Sequence, residues 1–190
     1  MTPSPRVLQK TLLEIFRRLA KHYGPTHWWP GDTPFEIAVG AILTQNTAWS
    51  NVEKAIENLK SAGLLNPRAI LRCPEEQLYN ALKPSGYFRV KTQRLRAFCD
   101  YLVERHRGDI ASMAKRDTAE LRKELLHVHG IGEETADDIL LYACDKPIFV
   151  VDAYTRRILH RHGICSAKID YGELQRIFHQ NLPVDLTMFK

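Results

Sequence analysis

The stretch Leu125-Leu126-His127-Val128-His129-Gly130-Ile131-Gly132-Glu133-Glu134-Thr135-Ala136 decides how this chain reads. Apolar residues at Leu125, Val128 and Ile131 frame a tight Gly-x-Gly turn. A helical pattern precedes the turn over 118–127, and another succeeds it over 133–143. Gly130 can take a positive φ, and Gly132 lets another group come close to the backbone. The second helix then opens on bare N–H groups at the positive end of its dipole. Two readings fit these residues. One is an ordinary corner between two helices; the other is a seat for the phosphate of a nucleic-acid strand.

Further along stands Pro147-Ile148-Phe149-Val150-Val151-Asp152-Ala153-Tyr154-Thr155-Arg156-Arg157. An apolar run ends on a lone carboxylate, and a helical pattern begins after it, which suits Asp152 to an N-cap. Buried flanks carry the same carboxylate toward the region of the hairpin. The pair, Gly-x-Gly hairpin and then Val-Val-Asp, resembles the helix–hairpin–helix–Gly/Pro–Asp DNA glycosylases, the superfamily of endonuclease III. The resemblance implies an all-α, two-lobed helical fold with the active site in the cleft between the lobes. It makes Asp152 the catalytic residue, and Gly130, Ile131, Gly132 and Thr135 of the hairpin DNA-binding.

The rest of the chain supports an all-α reading of roughly ten helices. Val7, Leu8, Leu12, Ile15, Phe16 and Leu19 recur at helical spacing over 6–22, with Arg and Lys opposite, as on an amphipathic surface helix. The loop His27-Trp28-Trp29-Pro30-Gly31-Asp32 holds adjacent tryptophans, which fit either a core plug or a stacking wall for a base. Thr33-Pro34 opens a helix that is apolar nearly all round and therefore buried. It breaks at Thr44-Gln45-Asn46-Thr47, and a helix with Trp49, Val52, Ile56 and Leu59 on one face comes next. Asn66–Cys73 and Pro74–Leu82 read as short helices, Pro74 in a first turn. Over 89–106 a basic helix turns Leu95, Phe98 and Leu102 inward. Its Lys91, Arg94 and Arg96 fit a phosphate-contacting or simply solvated face. Asp117 with Glu120, and Asp170 with Glu173, have the spacing of capping boxes. The apolar run at 148–151 is too short to build a sheet.

Composition narrows the function classes. In 190 residues, 27 Lys and Arg against 22 Asp and Glu give a net charge of +5, which suits a polyanionic partner. Cys73, Cys99, Cys144 and Cys165 are far apart, with no C-x-x-C spacing. They read as reduced core thiols, neither a metal site nor a disulfide framework. No signal-peptide run and no bilayer-spanning stretch is present, so a cytoplasmic monomer is expected.

The resemblance runs from about Thr33 to Phe178 and carries further implications. Gln45 matches the family's glutamine that enters the duplex and fills the gap left by a flipped base; Asn46 beside it joins the DNA-binding set. Residues 31–144 would form the barrel lobe, closing on the hairpin at about 117–143, and residues 1–30 with 145–190 the terminal lobe. The chain departs from the family in two places. Bifunctional members carry a lysine where this chain has Glu134, and a carboxylate cannot form an imine, so no Schiff-base lyase is expected. Endonuclease III also ends in four cysteines that bind an iron–sulfur cluster. This sequence stops before that region, so the terminal lobe is expected to be incomplete. No cofactor or metal is expected in this chain, while a [4Fe-4S] cluster stays open for a longer form. Within the superfamily, the chain is most similar to the endonuclease-III-like 3-methyladenine DNA glycosylases. The features are Trp28-Trp29-Pro30, Leu43–Thr47, the missing lysine and the aromatic Trp49. The implied activity is monofunctional release of an alkylated purine from double-stranded DNA. Trp28, Trp29 and Trp49 would be the base-binding faces. The alternatives are a glycosylase for pyrimidine lesions or mismatches, or a catalytically silent DNA-binding protein.

Overall fold

A computed structural model describes residues 4–25 and 28–190; His27 of the tryptophan loop lies outside the described residues. Short polar residues and prolines start most of its helices. Thr33 Oγ1 accepts from the Glu36 amide, Asn66 from Arg68 and Ala69, Asp117 from Ala119 and Glu120, and Asp170 from Glu173. Each satisfies donors that a helix start leaves bare. The helices are α1 (Pro5–Tyr23), α2 (Pro34–Leu43), α3 (Trp49–Ser61), α4 (Pro67–Arg72), α5 (Glu75–Leu82) and α6 (Phe88–His106). After them come α7 (Ile110–Met113), α8 (Thr118–His127), α9 (Glu133–Asp138), α10 (Ala153–Arg161), α11 (Tyr171–Asn181) and α12 (Leu186–Phe189). No strand occurs among the described residues, and no helix among them is long and apolar enough to cross a membrane.

Contacts divide the chain into two units: Trp29–Lys146, and Met1–Trp28 with Pro147–Lys190. In the first, α2 is the central rod. Its Ala38, Val39, Ala41, Ile42 and Leu43 are buried, and it packs on α3, α6, α7, α9 and the turn after α9. Val52 and Leu59, Leu78 and Leu82, Leu95 and Phe98, and Leu121 and Leu125 supply the facing rows. The continuous spacing of apolar residues in each helix is what buries them on one core.

In the second unit α1 packs on α11. Phe149 stacks on Phe178 with centroids 3.6 Å apart, and Phe189 meets it edge-on at 5.4 Å. Side chains of α11 explain why the apolar run at 148–151 is not a strand. The Phe149 amide donates to His179 Nε2 at 3.2 Å, and Gln175 Nε2 donates to the Phe149 carbonyl at 2.8 Å. The Val151 amide reaches the Tyr171 hydroxyl at 3.3 Å. The extended backbone is satisfied without a neighbouring strand.

Several expectations need correction. The helix after the hairpin does not run uniformly to Ala143; it is α-helical to Asp138 and becomes a π turn over Ile139–Ala143. A π turn holds more residues than an α turn, so the side chains beyond Asp138 are rotated off the α-helical register. Pro74 is the N-cap of α5 and not its first residue. Of the apolar row on α1 only Leu8 and Leu12 are buried, while Val7, Phe16 and Leu19 are exposed. Two short helices were not foreseen, α7 and α12, started by Asp109 and Asp185.

Candidate functional site

The hairpin joins α8 to α9. After α8 ends, the Ile131 amide closes a turn on the Val128 carbonyl at 3.1 Å, and Val128 and Ile131 are buried beneath it. Gly130 has φ +81°, a conformation that is strained for an L side chain. It also lies under the Arg94 side chain, which occupies the place where a Cβ would stand. Gly132 is the extended N-cap of α9, with open space where its Cβ would project. Arg122 of α8 grips Asp137 of α9 in a two-pronged pair, Nε to Oδ1 at 2.7 Å and Nη2 to Oδ2 at 3.1 Å. Asp137 is fully buried, so this pair fixes the angle between the helices.

Thr135 is buried just inside α9 and meets Gln45 from the α2–α3 loop. Gln45 Nε2 donates to Thr135 Oγ1 at 2.9 Å and to the Gly130 carbonyl at 3.1 Å, and its Oε1 accepts from Arg94. Gln45 is therefore tied to the hairpin rather than standing as a simple loop amide. Asn46 beside it is exposed with φ +55°. A recess of about 240 Å³ opens between this loop and α9, bordered by Thr44, Asn46, Glu134 and Asp138.

The basic face of α6 is not the solvent-facing phosphate contact that its spacing allowed. Lys91 is 1% exposed and donates to the Leu43 carbonyl at 2.7 Å and the Ser85 carbonyl at 2.6 Å. Burial, with the Arg94 charge beside it, pushes the Lys91 ammonium down to about 8. Arg94 turns to Gln45, and Arg96 to the Cys73 carbonyl.

The tryptophans separate. Trp29 meets Trp49 edge to face with centroids 5.5 Å apart, and lies tilted on Tyr142 at 5.2 Å. Gly40 of α2 makes room for the pair: a Cβ there would come 3.0 Å from Trp29 Nε1 and 3.4 Å from Trp49. Trp49 Nε1 donates to Glu53 at 2.9 Å, which sets the turn of its ring. The loop carrying Trp29 is pinned by Lys60, which pairs with Asp32 at 2.7 Å and Glu36 at 2.8 Å. Trp28 is exposed and belongs to the other unit. Asp152 also belongs to that unit, where it caps α10 as its spacing indicated. Its Oδ1 accepts from both the amide and the hydroxyl of Thr155, each at 2.7 Å. Among the described residues no hydrogen bond goes to Oδ2.

The profile of the HhH-GPD superfamily of base excision DNA repair proteins matches residues 39–183. The chain belongs to that family. It is 46% identical over 181 residues to a candidate DNA repair glycosylase of Methanocaldococcus jannaschii, covering 94% of this chain and 82% of that one. It is 30% identical over 173 residues to endonuclease III of Thermotoga maritima, covering 91% and 76%. Among solved structures, the 3-methyladenine DNA glycosylase of H. pylori bound to 1,N6-ethenoadenine superposes with a TM-score of 0.80. That match has 33% identity and covers 91% of this chain and 81% of the other. These matches establish the all-α, endonuclease III-like fold and the place of the chain among DNA glycosylases of base excision repair.

An iron–sulfur cluster does not fit the cysteines present. Cys73, Cys99 and Cys144 are buried and Cys165 is half-buried, and they do not gather into one ligand set. No group of three or more His, Cys, Asp or Glu among the described residues is placed to hold a metal.

Sequence reasoning missed four parts of the site: Arg94 as the partner of Gln45, Gly40 and Tyr142 beside the indoles, and the Arg122–Asp137 pair. Gly40 left a signal, an isolated glycine in the middle of an otherwise apolar helix. Tyr142 left none, because the π turn rotates it off the helical register.

Proposed function

We infer that the chain is a monofunctional DNA glycosylase that hydrolyses the N-glycosidic bond of an alkylated purine of the 3-methyladenine class. It acts on double-stranded DNA as a monomer. The observation that carries this reading is the edge-to-face pair of Trp29 and Trp49 over Gly40, in the same unit as an acceptor-rich recess bordered by Glu134 and Asp138. Indole faces attract a cation more than its neutral counterpart, and carboxylates do the same at longer range. An N3-alkylated adenine is a cation and already a good leaving group. Its neighbourhood need only hold the flipped base.

The remaining chemistry falls to Asp152. Its Oδ1 is fixed by Thr155, so the carboxylate presents a charged, oriented Oδ2. As the bond from C1′ to the base breaks, its electrons go to the cationic ring, and the sugar becomes positive. The carboxylate stabilises that charge, and accepts a proton from the water that adds to C1′. Glu134, in the place of the lyase lysine, has no amine to form an imine. The hairpin's backbone holds the strand, with Gly130 and Gly132 presenting N–H groups to phosphate, the turn between them closed by the Ile131 amide on the Val128 carbonyl, and Trp28 offering a further exposed ring.

The test is release of base from duplexes carrying 3-methyladenine, uracil or thymine glycol. Free base from the alkylated duplex without strand nicking is expected. Asp152→Asn should lower the rate by about 100-fold or more. Trp49→Ala should weaken turnover of the cationic base more than of a neutral purine adduct. Borohydride trapping of a covalent enzyme–DNA species, or release from pyrimidine lesions alone, would overturn the reading.

A further inference from the structure

We propose that Glu53 is a positioning residue that acts through the Trp49 indole and makes the site hold a cationic base more tightly than a neutral base of the same shape. The proposal rests on the glycosylase reading above and deepens it by assigning the charge preference to one side chain.

Trp49 is the first residue of α3, and Glu53 stands one turn on, so their side chains share a face. The indole Nε1 donates to Glu53 Oε1 at 2.9 Å. This bond acts on the ring in two ways. It fixes the rotation of the indole, with Nε1 toward the carboxylate, the six-membered ring beside Gly40 and Trp29 packed against it edge to face. It also draws the N–H proton toward an anion, which moves electron density into the ring and deepens the negative potential over its faces. A cation above the ring feels that potential directly, whereas a neutral base stacks on it with little change. Glu53 itself is exposed, so as a bare charge it is screened by water and salt. Its leverage comes from the bond to the ring. Trp49 and Glu53 border a cavity of about 540 Å³, whose lining carries four carboxylates and two ammoniums. One of those ammoniums, Lys60, is already held by Asp32 at 2.7 Å and Glu36 at 2.8 Å. A ligand entering beside the indole therefore meets negative charge.

Tryptophan fluorescence of the free protein tests the role of Glu53 without any need for activity. In a Trp28→Phe background, quenching by the 1-methylnicotinamide cation is compared with quenching by neutral nicotinamide. Glu53→Gln keeps an acceptor for Nε1 and removes the charge. It should lower the Stern–Volmer constant of the cation about twofold and leave that of nicotinamide unchanged. Glu57→Gln removes an equal charge from the same lining, two turns beyond the indole, and should do much less. With Trp49→Phe in place, Glu53→Gln should change nothing further. Duplex DNA gives the second readout. Glu53→Gln should raise KM for release of 3-methyladenine about threefold. The inhibition constant of a duplex carrying 3-deaza-3-methyladenine, a neutral isostere, should move less than about 1.5-fold. Glu53→Ala frees the ring as well and should weaken both duplexes, the neutral one being restored by Gln at this position. A Glu53→Gln change that is absent, or equal for cation and neutral ligand, overturns the proposal. So does one that survives in Trp49→Phe or is matched by Glu57→Gln. Wild-type protein that releases no base from any lesion sinks the glycosylase reading, while the quenching result still decides the role of Glu53.

Discussion

Helices α1 and α6 are both 19 residues long, basic and amphipathic, yet they treat their cations in opposite ways. On α1 the Lys and Arg side chains stand in solvent, and the Arg18–Glu14 ion pair at 2.8 Å is exposed at both ends and worth little. On α6, Lys91, Arg94 and Arg96 are drawn onto the Leu43 and Ser85 carbonyls, the Gln45 amide and the Cys73 carbonyl. Leu43 closes α2 and Cys73 caps α4, so these carbonyls lie where a helix end leaves acceptors orphaned. What separates the two helices is the neighbourhood. Helix α6 reaches the closing carbonyls of α2 and α4, whereas α1 packs on α11 and keeps its cations in solvent. A buried cation is tolerated where it finds acceptors that would otherwise go unpaired.

The change expected to hurt most strikes where α6 crosses the hairpin. Gly130→Ala puts a Cβ at φ +81° and into the Arg94 side chain. It should lower the unfolding free energy by more than about 2 kcal/mol, read by urea denaturation. Gly63→Ala is the control, because Gly63 has φ +65° with nothing near its Cβ position and so carries the conformational part alone. Equal losses at the two glycines would show that Arg94 does not need the seat.

Lys91→Met is the next step down. It keeps most of the buried stem and strips the Leu43 and Ser85 carbonyls of their donor, at a cost of about 1–3 kcal/mol. The pH dependence carries a sign. The folded-state value of about 8 lies below the ordinary 10.5, so between the two the unfolded chain binds more protons than the native one. The destabilisation from this ammonium is fully present below about 8 and is relieved as pH rises toward 10.5, by about 3 kcal/mol at most. Wild type should therefore gain stability relative to Lys91→Met across that window in paired denaturation curves. A flat difference would mean that the ammonium is solvated like those of α1.

The same contrast shows how much could be read in advance. The hairpin was legible because Gly130 and Gly132 bracket buried Ile131, and a positive φ has few other solutions. Helix starts at Thr33, Asn66, Asp117, Asp152 and Asp170 were legible because capping is local, a bond over two or three residues. Glu120 and Glu173 do not need to close the box for the cap to work. The partners of Lys91 and Arg94 were not legible. They sit up to 49 residues away, and the Lys91 partners are backbone carbonyls, which every residue has, so spacing carries no signal for which one is taken. Tyr142 escaped because the π turn breaks the 3.6-residue period on which any facing argument depends.

The smallest effect is expected on α1 and sharpens the contrast from its other side. Helical spacing groups Val7, Phe16 and Leu19 with Leu8 and Leu12, but only Leu8 and Leu12 of that set are buried in the helix that packs on α11. Leu12 is 4% exposed and Leu19 is 47% exposed. Leu19→Gln should thus shift the denaturation midpoint by less than about 0.5 kcal/mol equivalent, whereas Leu12→Ala should cost about 2–4 kcal/mol. A Leu19→Gln loss approaching that of Leu12 would place the far end of α1 under cover in solution. The rule drawn from α6, that neighbourhood and not pattern decides which side chains are buried, would then extend to the apolar face as well as the charged one.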